Sequence, residues 1–161
     1  MGLLARPTPP RRARKTTHVD QDDYEIDDDP ARIPRDAVWR WLSAEAYWGR
    51  WRTRADVEAQ LDSAWRVVGA YRAGTDELIG FARATSDGVG FAYLADVFVV
   101  ADHRGRGLGK RLMSAMIDDG PGRDFRWVLF TADAHGLYEQ FGFAVPDATT
   151  MVRPPAKPPI G

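Results

Sequence analysis

The chain has 161 residues, is 44% hydrophobic, carries 22 Lys and Arg against 23 Asp and Glu for a net charge of -1, and contains no cysteine. That length suits one domain with a proper core between flexible ends, and the near-balanced charge gives no global attraction to nucleic acid or to an anionic membrane. Without cysteine there is no disulfide framework, no acyl-cysteine intermediate and no thiolate metal site; no apolar run approaches the roughly 20 residues of a membrane span, and Met1–Arg6 lacks the apolar middle of a secretory signal, so the expected location is the cytoplasm.

In chain order, residues 1–19 read as a disordered basic tail with Pro7, Pro9 and Pro10. Arg6, Arg11, Arg12, Arg14 and Lys15 precede an acidic block from Asp20 to Asp29, and a basic arm for an acidic partner is the alternative to a solvated leader. Tyr24–Ile26 alternates as a short first strand. Pro34–Leu42 reads as a helix with Pro in its first turn, and Ala55–Ala64 as a second, with Val57, Leu61 and Ala64 on one face. Trp65–Arg72 and Leu78–Thr85 are strands flanking a hairpin turn at Ala73–Asp76. Ser86–Gly90 is another turn. Phe91–Val100 is the next strand, and its near-continuous apolar character predicts burial on both faces. Leu108, Leu112, Ala115 and Met116 give the following helix an apolar face, and Gly120-Pro121-Gly122 ends it. Trp127–Thr131 is a β-rich run. A helix follows from Ala134, with Gly142 as its C′ glycine and Phe143 opening a last strand. Residues 154–161 form a Pro-rich tail, which leaves one domain over 20–153. The fold class is α/β (α+β), a sheet with helices on both faces.

The richest segment is Ala95–Met113. It joins a buried strand, a basic glycine-rich turn and the start of an amphipathic helix. Gly105, Gly107 and Gly109 leave the backbone bare on alternate residues. A helix N-terminus points N–H groups at any anion there, and Arg104, Arg106 and Lys110 add full charges. Phosphate or pyrophosphate fits. A Walker A loop does not, because Arg104 and Arg111 stand where Gly and Ser or Thr are required. The dinucleotide fingerprint fails in both registers.

Arg104-x-x-Gly107-x-Gly109 resembles the coenzyme A pyrophosphate loop of the GNAT superfamily of acyl-CoA-dependent N-acetyltransferases. A second block, with Ala134, Leu137, Tyr138, Gly142 and Phe143, resembles the last GNAT block, a helix carrying a tyrosine and closing on a Gly-Phe step. The resemblance covers roughly Tyr24 to Arg153. It implies a mixed, mostly antiparallel sheet with a splayed strand pair, and a bulge in the strand before the loop. It implies acetyl-CoA as cosubstrate; no His, Asp or Glu spacing resembles a metal site, with His18, His103 and His135 too scattered to form one. Arg104, Gly105, Arg106, Gly107, Leu108, Gly109 and Lys110 would hold the pyrophosphate, and backbone groups of Val97, Phe98 and Val99 the pantetheine and thioester.

Acyl transfer to an amine needs a deprotonated amine, a stabilised thioester oxygen and a proton for the leaving thiolate. Tyr138 is the candidate acid, against a packing-only tyrosine. Asp96, a carboxylate in an apolar strand, is either the base or a buried structural group paired with loop amides or an arginine. His135 is the other candidate base. Asp133 fits a helix N-cap, and His103 a loop position. Thr131 stands where the family often has asparagine, so a hydroxyl would have to substitute. Trp39, Trp41, Tyr47, Trp48 and Trp51, with Arg50, Arg52 and Arg54, fall where the superfamily selects its acceptor. They could line an aromatic pocket, pair with a carboxylate or simply cover the sheet. The reading is a direct ternary-complex N-acetyltransferase. Its acceptor is a small-molecule amine, with a protein or peptide amine second, and a homodimer is possible. A non-catalytic acyl-CoA sensor is the alternative.

Overall fold

The structure is a computed structural model and describes residues 23–46 and 51–156. The predicted basic tail, Tyr47, Trp48, Arg50 and residues 157–161 lie outside these.

Five strands form one sheet in the order β1-β2-β3-β4-β5: β1 (Tyr24–Asp27), β2 (Arg66–Arg72), β3 (Leu78–Ser86), β4 (Phe91–Val99) and β5 (Arg126–Val128). The first four pair antiparallel, and β4 with β5 runs parallel. Tight turns set the antiparallel part. Gly74 takes φ 73° between β2 and β3, a value that costs glycine nothing. Between β3 and β4 the Asp87 carboxylate accepts from the amides of Val89, Gly90 and Phe91. These bonds hold that carboxyl below its usual range. The parallel pair needs a crossover, supplied by α3 (Leu108–Met113) and the π-helical turn Ser114–Asp118 that extends it.

Helices α1 (Arg35–Ala44) and α2 (Arg54–Asp62) cover one face. Val38 and Leu42 are the buried stripe of α1, and Val57 anchors α2. Thr53 caps α2 through a reciprocal box: its hydroxyl accepts from the Asp56 amide while the Asp56 carboxylate accepts from the Thr53 amide. On that face Phe81 and Phe98 meet Val67, Val57 and Leu42. On the other face α3 and α4 (His135–Glu139) pack on Val68, Ala70, Ala82, Ala84 and Leu94.

Three expectations need correction. Strand β5 stops at Val128, short of Thr131, because β4 offers it partners only at Phe91, Ala92 and Tyr93. Among the described residues no strand follows α4. Phe143 instead ends the helix: its amide bonds the Tyr138 carbonyl at 3.2 Å, beside Gly142 at φ 80°. Strand β4 is not buried on both sides throughout. Ala92, Leu94, Asp96 and Phe98 are buried, while the residues between them are half-buried, since half of β4 has no neighbour on its β5 edge.

Candidate active site

The site begins with an irregularity in β4. Phe81 pairs with Phe98 and Arg83 with Ala95, so Asp96 and Val97 together face Ala82. This is a β-bulge of the kind the resemblance implied. Asp96 takes φ 54° and is the one described non-glycine residue at positive φ. The extra residue reverses the alternation of the strand. Leu94 packs in the core under α3 and Phe98 in the core under α1, although four residues apart they would share a face of a regular strand.

The bulge lies beyond the last rung of the β4–β5 ladder, in the gap where the strands part. Two cavities open there. The first, of about 330 Å³, is lined by Val97, Phe98 and Val99 of β4, by Arg104, Gly105 and Gly107 of the loop, by Leu108 and Gly109 of α3, and by Tyr138. Arg106 and Lys110 are exposed and not part of this wall. Gly105 and Gly107 stand at φ 73° and 77°, with open space where a Cβ would lie. The loop amides are thus unshielded by side chains at these two positions. Gly109 has a different role: a Cβ there would touch Leu137 of α4 at 3.4 Å, so it sets how closely α3 approaches α4. The Arg104 Nε donates to the Val99 carbonyl at 3.0 Å, which ties the loop to the strand. Trp41 of α1 stacks on Phe98, with ring centroids 4.0 Å apart, and reaches the same cavity.

The second cavity, of about 320 Å³, adjoins the first at Val97, Ala134 and Tyr138, which line both. Arg52, Arg83, Asp96, Tyr93, Phe130 and Thr131 contribute to its wall. Here the fate of Asp96 is decided. Arg52 grips it with two bonds of 2.8 and 2.9 Å, and the Arg83 Nε donates to it at 3.0 Å. All three side chains are 7% exposed or less. Burial pushes the Asp96 carboxyl up, but the bonds and charges of the two guanidinium groups outweigh it and hold the carboxyl below its usual range. Burial also raises the Tyr93 hydroxyl, helped by the charge of Asp96, so it stays neutral.

The remaining candidates separate cleanly. Tyr138 is 8% exposed, packs edge-on against Phe143 and stands where the cavities meet. His135 is exposed and lines neither cavity. His103 lines the first cavity and shares a 2.6 Å hydrogen bond with the Tyr24 hydroxyl. The predicted N-cap role of Asp133 does not hold: Ala134 stands at the N-cap of α4 with no side-chain cap bond, and the Thr131 hydroxyl orders the turn before it, accepting from the Ala134 amide at 3.1 Å and the Asp133 amide at 3.4 Å. Of the arginines near the first helices, Arg54 pairs outward with Asp36 and Glu58, and Arg52 turns inward. Trp51 is 52% exposed at the second cavity. Sequence reading missed Arg83, Gln60, Tyr93 and Phe130. Arg83 had one signal, a charge inside an apolar strand, the same that singled out Asp96.

The profile of the Acetyltransferase (GNAT) family matches residues 19–143, most of the chain. The chain belongs to the GNAT family. A solved GNAT-family protein of Xanthomonas campestris pv. campestris, an acetyltransferase by assignment, is 33% identical, with a TM-score of 0.75 over 83% of this chain and 94% of that one. Glucosamine-6-phosphate N-acetyltransferase of Arabidopsis thaliana shares the fold, at 13% identity and a TM-score of 0.58 over 82% of this chain and 98% of that one. An uncharacterised N-acetyltransferase of Gracilaria tenuistipitata var. liui is 41% identical over 68 residues, which are 41% of this chain and 37% of that protein. A Gibberella zeae protein, also an acetyltransferase by assignment, is 30% identical over 84 residues, 52% of this chain and 45% of its own. The chain thus matches less than half the length of these two curated relatives. Among the described residues no helix is long and apolar enough to cross a membrane, and no group of three or more His, Cys, Asp or Glu is placed to hold a metal ion.

Proposed function

We propose that the protein is an acetyl-CoA-dependent N-acetyltransferase that transfers the acetyl group directly to an amine. One observation carries this reading: two cavities meet at Val97 and Tyr138, one walled by the bare glycine loop and the other by polar and aromatic side chains. A direct transfer between two bound substrates needs such a junction, because both must reach one point from different sides.

The first cavity fits acyl-CoA. Gly105 and Gly107 leave room for a pyrophosphate against the backbone, and Arg104 adds charge beside them. Arg106 and Lys110, exposed around the loop, would attract the phosphates without closing on them. When bound, acyl-CoA supplies the activated acyl group as a thioester. Beyond Tyr93 the β4 backbone lacks a β5 partner, which leaves groups of Val97 and Phe98 to hold the pantetheine and the thioester oxygen. The Val99 carbonyl already accepts from Arg104. Tyr138 protonates the departing thiolate. Asp96 fixes the bulge rather than taking a proton, because two arginines occupy its oxygens and favour its ionised form. The amine proton then leaves through solvent in the second cavity. The acceptor is a small molecule, in keeping with a cavity at the lower end of small-molecule sites.

Incubation of the full chain with acetyl-CoA and a panel of amines, following free thiol, tests the reading. Thiol release that depends on an amine is expected. Tight acetyl-CoA binding with no release for any amine would replace the enzyme by a sensor.

A further inference from the structure

We infer that the second cavity takes an amine that also carries a carboxylate and an apolar, preferably aromatic, body. This rests on the acetyltransferase reading for the amine, and on the cavity wall alone for the carboxylate.

The charge count comes first. Arg52 and Arg83 are buried against a single carboxylate, Asp96. Two guanidinium groups and one carboxylate leave one positive charge uncompensated in a buried wall. Buried charge is costly unless paired, and anions of the right shape recover that cost. Among the described residues no other acid enters the cluster: Gln60, the further partner of Arg52, is neutral, and the Thr85 hydroxyl meets Arg83 at 3.4 Å. The cavity's second carboxylate, Asp133, is exposed. It stands next in the chain to Ala134, at the junction of the two cavities, where the amine must sit.

The donor count agrees. A guanidinium offers five N–H groups in a planar fork. The Arg52 Nε–H is buried, and among the described residues it has no acceptor. Arg83 gives its Nε to Asp96 and one Nη1 bond to Thr85, and these use two of its five N–H groups. The Arg52 Nε is too buried to reach a ligand, so the donors for the cavity are the remaining N–H groups of Arg83, which lines its wall, and the arginine fork suits a carboxylate.

The apolar part follows from Trp51 and Phe130. Both line this cavity, Phe130 with 67% of its surface exposed, and aromatic walls favour an apolar or aromatic body. The Tyr93 ring packs against Phe130 with centroids 5.9 Å apart and continues the same apolar wall inward. A substrate would cover the rings with its body, set its carboxylate on Arg83, and bring its amine to Tyr138.

The test uses two amine-free probes that differ only in charge, 3-phenylpropanoate and 3-phenylpropanamide, titrated calorimetrically into the full chain with acetyl-CoA absent. The acid should bind at least about tenfold tighter. Arg83→Gln should bring the two within about twofold, and Arg83→Lys should keep a preference for the acid. Circular dichroism checks that each variant is folded; should Arg83→Gln unfold, the wild-type comparison decides. Equal binding, preference for the amide, or binding of neither would overturn the inference. A parallel assay compares phenylalanine with 2-phenylethylamine as thiol-releasing acceptors. Release from both alike, with no acid preference, removes the inference and leaves the enzyme standing. Preference for the acid with release from no amine removes the enzyme and leaves the carboxylate site.

Discussion

The two cavities flanking Val97 are nearly equal in volume and opposite in construction. The first is built largely on one stretch of chain with glycines at its loop. Its glycines, the end of β4 and the start of α3 are contiguous in sequence, from Val97 to Gly109. The second is lined by residues from the segment before α2 and its last turn, from β3, from β4, from the β5–α4 connection and from α4. A glycine loop with bare amides recognises something constant, such as a pyrophosphate. A side-chain site can be rebuilt by single substitutions, which suits the part that must select one acceptor among many. Asp96 links the two: its backbone makes the bulge that exposes the first, and its carboxylate anchors the arginines of the second.

The largest expected effect lies at the junction itself. Tyr138→Phe keeps the ring that packs on Phe143 and deletes one proton. Turnover should fall by about 10²- to 10⁴-fold, with acetyl-CoA affinity and melting temperature nearly unchanged. Steady-state kinetics and calorimetry check this, and normal turnover in the folded variant would reduce Tyr138 to packing.

Asp96→Ala comes next. It leaves two buried guanidinium groups unpaired and puts alanine at φ 54°. The cost should be about 3–5 kcal/mol, read from urea unfolding. Asp96→Asn separates backbone from charge, since asparagine tolerates positive φ. It should also lose stability, by less. Were Asp96 the general base, Asn would instead abolish turnover at nearly unchanged stability. The sign with pH is fixed by the lowered carboxyl. Its contribution is present above the unfolded value of about 3.9 and is lost as pH falls through the lower folded value. The stability gap between wild type and Asp96→Asn should therefore shrink below about pH 4.

The first cavity should respond in binding alone. Gly107→Asn can keep φ 77°, but its side chain enters the open space on the loop. Acetyl-CoA affinity should fall on the order of tenfold with little change in melting temperature, and unchanged affinity would move the phosphates elsewhere. Gly107→Val would be less informative, because a branched residue at that φ also strains the fold.

The smallest effect is expected at the ends. A chain cut to residues 20–153 should melt within a few degrees of the full chain, since Met151 and Val152 are 94% and 61% exposed and neighbouring prolines preclude regular pairing. A large loss by calorimetry would show that an end packs on the domain or on a second copy.

The sequence by itself determined what depends on neighbours along the chain. The glycines of the loop, the apolar faces of α1, α2 and α3, the hairpin at Gly74 and the helix stop at Gly142 are local, and each was legible because its physical cause lies within a few residues. Tertiary structure decided what depends on partners far away. Whether Asp96 is a base or an anchor turns on Arg52 and Arg83, respectively 44 and 13 residues before it. Strand β5 ends at Val128 because β4 leaves it there, and nothing in Leu129–Thr131 announces that parting. Asp133 does not cap α4, which starts one residue later with Ala134 at its N-cap, while the Thr131 hydroxyl holds the turn before it. An ionisable group in an apolar strand signals that a partner must exist, since isolated burial is too costly; only the fold can say which partner it is.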